Sequence, residues 1–357
     1  LSTGEYNIAF GAGAGKKLHA GSCNIAIGNI TAGFNNVTGN SNIMMGSRAG
    51  SKLSSGSQNI FLGGSAGRYV TSGARNFVAG TQASYCLTTG NDNVGIGACS
   101  NRLLVNGQDN ISIGRCAGYN NIETGNIAIG HSAGYRVTGS NNISIGNTSG
   151  GCSGNYNISF GFGAMGGASG SASHNVNIGS NTGCKLTSGS TNVNVGAAAG
   201  LNLTSGEFNV NLGGSAGKCN ITGNRNISIG FMANFCSEAS CKNIAVGDGA
   251  QLFIEAASHN VAMGSNASRN LQTGHGNVSI GNSAAWGASA GSNNVSIGGS
   301  AGPGACTTQT GSDNVFVGRN SGTNITSGHT NVFLGACGGH GESNASANNN
   351  IGIGMNV

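Results

Sequence analysis

Asn226-Ile227-Ser228-Ile229-Gly230 is followed by Asn243-Ile244-Ala245-Val246-Gly247 and by Asn260-Val261-Ala262-Met263-Gly264, three copies of one pattern set 17 residues apart. The same Asn–apolar–x–apolar–Gly pattern starts at Asn7, Asn24, Asn42, Asn59, Asn76, Asn93, Asn110, Asn126, Asn142, Asn157, Asn175, Asn192 and Asn209. It resumes at Asn277, Asn294, Asn314, Asn331 and Asn350, giving 21 copies in 357 residues. Most intervals are 17 residues and none falls outside 15 to 20. A fixed period of this size means a repeat architecture, and it decides the fold before any local reading does.

Within the motif, positions two and four are apolar and mostly β-branched, and position three is usually small or polar (Ala9, Ala26, Ser112, Asn194). Period-two alternation over so short a run reads as a strand with one buried face, and the glycine ends it. Eleven residues after the motif Asn stands a second apolar column: Leu18, Leu53, Val70, Leu87, Leu104, Val137, Leu186, Leu203, Leu271 and Ile325. A glycine such as Gly56, Gly73 or Gly206 precedes the next Asn, and a small pair such as Ala66-Gly67 or Ala199-Gly200 marks the other corner. One repeat is therefore one coil: strand, corner, short strand, corner. Helix is excluded by several glycines per repeat and no 3.6 period. The expected fold is an all-β parallel β-solenoid of about 21 coils, one repetitive domain over 1–357 without separate caps. At roughly 4.8 Å per coil it would be a rod on the order of 100 Å long. The invariant Asn reads as a hydrogen-bonded ladder along the axis.

Composition limits function. Only 7% of the residues are charged and the net charge is +5. The arginines occupy several repeat positions, so no basic stripe with interleaved aromatics is expected, and no nucleic-acid partner. No apolar run of 18 residues exists, so no membrane insertion is expected. The chain shows no initiator Met, signal peptide or cap, which suggests either part of a longer fibre or a subunit that stacks end to end.

Candidate sites are few. Of 11 cysteines, Cys99 with Cys116 and Cys219 with Cys236 share columns in adjacent coils, within disulfide reach. The alternative reading is small buried hydrophobes. Cross-links would place the chain outside the cell or on a virion. Sequons outside the motif, candidates for glycosylation, begin at Asn29, Asn36, Asn147, Asn202, Asn220, Asn266, Asn324 and Asn344. Position three turns large and apolar at Met44, Phe61 and Val78 and again at Phe316 and Phe333. With positions two and four facing inward, these five would form exposed strips, and we read them as assembly contacts. With the strand reversed they are core.

Chemistry is thin. His174 and His259 share a column but lie five coils apart. Asp92 and Asp109 share a position in adjacent coils and could hold one cation, though a solvated pair is the plainer reading. The calcium-binding Gly-Gly-x-Gly-x-Asp repeat is absent, as are paired carboxylates on a long insertion. Ranks of Thr-x-Thr suited to ice are missing too. No catalytic residue, no metal ligand and no cofactor is expected.

The strand repeats Asn24–Gly28, Asn126–Gly130, Asn110–Gly114, Asn142–Gly146 and Asn226–Gly230 resemble the head repeats of trimeric autotransporter adhesins. Similar repeats occur in tail-fibre-like proteins of phages and large algal viruses. The resemblance covers essentially the whole chain. It implies left-handed parallel β-rolls that trimerise and bind host surfaces. This chain lacks the extra Ser after the Asn and has a longer repeat, and neither a coiled-coil stalk nor a membrane anchor is expected within it. The stretch Ile280–Ala285 also approaches the hexapeptide of left-handed β-helix acyltransferases, whose catalytic His has no counterpart located here.

The expected role is a structural, non-catalytic fibre shaft on an extracellular, cell or virion surface, with adhesive display. Its partners would be copies of itself, as a trimer or end-to-end polymer, and a host or cell-surface receptor. The alternatives are an end-to-end filament subunit of a cell-surface appendage and, in another class, a ligand- or ice-binding solenoid or a hexapeptide-type acyltransferase.

Overall fold

A computed structural model describes residues 3–151, 153–304, 310–339, 346 and 348–357. The chain divides into two compact units, Leu1–His174 and Asn175–Val357. Both are parallel β-solenoids, and no helix occurs among the described residues.

Among the described residues the first unit carries ten three-residue strands, from Ile8–Phe10 to Ile158–Phe160, and the second carries eleven, from Val176–Ile178 to Ile351–Ile353. Within each unit every strand pairs in parallel with the next. The register joins like to like: Ile43 faces Ile60 and Met44 faces Phe61 in the first unit, and Val210 faces Ile227 and Asn211 faces Ser228 in the second. One motif period is thus one coil. Among the described residues the expected second strand does not form. There the Leu column lies on a leg of turns, with isolated bridges such as Leu18–Val37 and Cys236–Phe253.

Each corner has a fixed backbone. The residue before the motif Asn is left-handed, as at Gln58 (φ 59°), Arg225 (φ 56°) and Asp313 (φ 62°). L residues rarely take this conformation. The coil before secures it, because Gln58 N donates to Asn40 O and Arg225 N to Glu207 O, both at 2.9 Å. The glycine that ends the strand is needed for two reasons. At Gly230 φ is +129°, and a Cβ would stand 2.5 Å from the Gly247 carbonyl oxygen of the next coil.

The Asn column is a hydrogen-bonded ladder. Asn59 Oδ1 accepts from the backbone N and the Nδ2 of Asn76, each at 3.0 Å. The other Nδ2 hydrogen goes to the Gly90 carbonyl at 2.9 Å. The same three bonds recur at Asn209 on Asn192 in the second unit. Asn121 is a variation. It sits eleven residues after Asn110, in the Leu column, and bridges two rungs, donating to Asn110 Oδ1 (3.0 Å) and accepting from Asn126 Nδ2 (2.9 Å). Buried amides satisfied this way fix the stacking register, because a slipped coil would strand their polar atoms.

The core lies between the strand's middle residue, the Leu column and the corner alanines, with Leu53, Leu203, Ala66 and Ala199 at 0% exposure. The strand faces are opposite to expectation. In nearly every strand the middle residue is buried and positions two and four are half-buried or exposed. The interior is narrow, so its usual occupants are Ala, Ser or Asn. Asn177, Asn194 and Asn211 make a second, internal ladder with Nδ2-to-Oδ1 bonds of 2.8 Å. The largest occupants sit against a corner glycine. Phe61 fits because a Cβ on Gly67 would fall 2.6 Å from its ring, and Phe316 leans on Gly322 in the same way. Where the strand is small, the corner grows: Asn101 fills it and accepts from Ser112 Oγ at 2.6 Å.

Candidate functional site

Met44, Phe61, Val78 and Phe316 are fully buried and Phe333 is 5% exposed. The expectation that they form surface strips is therefore corrected: they are core, because the middle strand position points inward. The exposed apolar columns are those on either side of it. In the first unit they include Phe10, Met45, Ile113 and Phe160, and in the second Ile178, Leu212, Met263, Ile280 and Ile297. Leu212 is 44% exposed and Met263 43%. Each column repeats once per coil, so each unit presents two parallel rows of Ile, Val, Leu, Met and Phe.

The paired cysteines, Cys99 with Cys116 and Cys219 with Cys236, are free thiols in adjacent coils. Cys99 and Cys116 occupy equivalent left-handed corners (φ 59° and 56°) in adjacent coils. Cys219 and Cys236 are likewise one coil apart, and all nine described cysteines are free. Burial pushes the Cys116 and Cys236 thiols up from the usual value, and the neighbouring thiol adds to the shift. Cys152 and Cys306 lie outside the described residues.

The sequons divide by position. Asn29, Asn36 and Asn147 are exposed, and Asn202, Asn266 and Asn324 are half-buried. Asn266 accepts from Arg269 at 2.6 Å. Asn220 is corrected: it is fully buried and accepts from the Gly223 backbone N at 2.8 Å. It stands eleven residues after Asn209, so the coil turns it inward at a Leu-column position. Asn344 lies outside the described residues.

Asp92 does not face Asp109 alone. The guanidinium of Arg75 grips it with two bonds of 2.7 Å, from Nε and Nη2. Arg75 holds the Asp92 carboxyl below the usual carboxylate range, and its own pKa is raised in turn by Asp92. Among the described residues no three His, Cys, Asp or Glu side chains converge as metal ligands.

A feature missing from the sequence reading lies nine residues after the motif Asn. There Arg68, Tyr85, Arg102, Tyr119 and Tyr135 occupy one column in five successive coils of the first unit. The expectation that the basic residues do not line up is corrected here. Arg102 is held between two rings, its guanidinium carbon 5.7 Å from the Tyr85 centroid and 5.6 Å from that of Tyr119. Arg68 lies similarly between Tyr69 and Tyr85, at 5.4 and 5.6 Å, and donates to the Tyr85 hydroxyl at 2.9 Å. Arg102 donates to the Tyr119 hydroxyl. Lys52 caps Tyr69 at 4.3 Å. Tyr119 and Tyr135 stack face to face, 4.9 Å between centroids and 14° between planes. The signal was available in the alternation of Arg and Tyr at one repeat position. The arginines alone conceal it, since three of the five rungs are tyrosines.

No protein-family model matches the chain, and no curated protein matches it.

Proposed function

We propose that the chain is a structural, non-catalytic fibre shaft on an extracellular, cell or virion surface, built by lateral association of copies of itself and used for adhesive display. The observation that supports it most is the pair of apolar rows on the outer strand face. Apolar rows that recur in every coil give another copy a matching surface, and burying them would contribute about 25 cal/mol per Å². The Asn ladder supports the shaft reading, because coils joined by buried amide bonds resist shear. The motif's resemblance to adhesin heads and viral tail-fibre-like repeats supports the display role and a host or cell-surface receptor as partner. A trimer is the assembly that this resemblance favours.

Light scattering on the purified native chain, with electron micrographs of the same sample, tests the proposal. A discrete oligomer, elongated in the micrographs, is the expected result. A monodisperse monomer at micromolar concentration would overturn it. Long polymers with an axial repeat would replace it with an end-to-end filament subunit.

A further inference from the structure

The Arg–Tyr column of the first unit ends abruptly. Nine residues after Asn142 stands Gly151, and nine after Asn157 stands Gly166. The two rungs that would continue the stack beyond Tyr135 therefore have no side chains. Tyr119 covers one face of the Tyr135 ring, and the other face borders a hollow of about 270 Å³. The glycines form its floor. A Cβ at Gly151 would stand 2.9 Å from the Met165 carbonyl oxygen, and one at Gly166 would stand 2.5 Å from that of Thr148. The rim carries Ser132, Thr148 and Arg136. Arg136 is exposed and in no ion pair with any described residue.

We propose that this hollow binds one pyranose ring bearing an anionic substituent, presented by a surface glycan. The inference rests on the adhesive reading above and names its ligand class. Three features select that class. An open tyrosine face at the end of a stack offers a platform for the C–H face of a sugar ring. The Ser132 hydroxyl can donate and accept, and Thr148 Oγ1, whose own hydrogen goes to the Asn147 carbonyl at 2.8 Å, can accept from a ring hydroxyl. The Arg136 guanidinium offers a planar fork for a carboxylate or sulfate. The volume lies just below the usual range of small-molecule pockets, so it takes a single ring rather than a chain. The stack behind Tyr135 matters as well. Arg102 and Tyr119 hold that ring in place before a ligand arrives, which lowers the ordering cost of binding.

Saturation-transfer NMR on the full chain tests this, with sialyllactose and a glucuronate-containing tetrasaccharide as acidic probes and lactose as the neutral one. At least one acidic probe should bind, and lactose about tenfold more weakly. Tyr135→Leu should abolish the signal, and Arg136→Gln should remove the preference for acid. Circular dichroism and assembly mass confirm that both variants fold. Failure of both acidic probes, or binding unchanged in Tyr135→Leu, would overturn the proposal. The assembly measurement is independent: an oligomeric fibre that ignores acidic sugars retires this site and leaves the shaft, and a monomer that binds them does the reverse.

Discussion

Asn192 Oδ1 accepts two hydrogen bonds from the same residue of the next coil, from the Asn209 backbone N at 2.9 Å and from its Nδ2 at 3.0 Å. Asn209 in turn gives its second amide hydrogen to the Gly223 carbonyl at 2.8 Å. Both residues are fully buried. Asn209→Ala removes the Nδ2 donor and leaves the Gly223 oxygen without it, so it should cost about 2–4 kcal/mol. Asn209→Asp should cost more, because its carboxylate faces two acceptors. Urea unfolding followed by circular dichroism gives both values, and a loss below about 0.5 kcal/mol in either would argue against a ladder that carries stability.

Phe61 and Gly67 are a matched pair in the first unit. Phe61→Ala should cost about 3–5 kcal/mol through the cavity it leaves. Gly67→Ala should also destabilise, since its Cβ would reach within 2.6 Å of the Phe61 ring at a φ of +56°. The double variant should lose less than the sum of the two, because the smaller ring site removes the clash. Additive losses in a double-mutant cycle would show that the two do not share space.

Cys116 and Cys236 should react slowly with iodoacetamide at neutral pH, and Cys23, which is exposed, should react first. Their thiol pKa values are raised by burial and by the adjacent thiol. The stability linked to them is therefore whole below the ordinary thiol value and is lost as pH rises through the raised one. Peptide mapping of labelled protein between pH 7 and about pH 10 follows this. Labelling of Cys116 as fast as Cys23 would contradict the burial.

Asp92 behaves in the opposite sense. Arg75 lowers its pKa, so the pair's contribution is present above the ordinary carboxylate value and fades as pH falls through the lowered one. Both partners are accessible to solvent, at 54% and 38% side-chain exposure. Asp92→Asn should leave the thermal midpoint unchanged at about 0.15 M salt. A clear drop there would mean that the pair does more than decorate the surface.

How much of this was legible in the sequence depended on what each position has to do. The Asn column was readable because a rung needs both an acceptor and two amide hydrogens, which leaves Asn little competition at Asn59 or Asn209. The Leu column was readable because Leu53 and Leu203 fill the widest part of the coil. The facing of the strand was not. In Ile127-Ala128-Ile129 the alternation rule puts the isoleucines inside, yet the cross-section admits only Ala128, and the isoleucines take the outer rows. Two apolar columns outside and small residues inside invert the usual pattern, and Phe61 with Gly67 shows that interior volume sets it. Asn220 was misread for a related reason: a sequon reports nothing about which leg of the coil it occupies. The Arg–Tyr column escaped because its meaning lies in the alternation of two residue types across coils.

The outer rows carry the central claim, and charge placed on them tests it most directly. Leu212, Met263 and Ile297 are exposed in the second unit, so lysine at all three should leave the coils folded. Light scattering of the wild-type chain and of the triple variant Leu212→Lys, Met263→Lys, Ile297→Lys, at matched circular dichroism, gives the answer. The account predicts an oligomer for the wild type and a monomer, or a much weaker oligomer, for the variant. Equal masses for the two would contradict it.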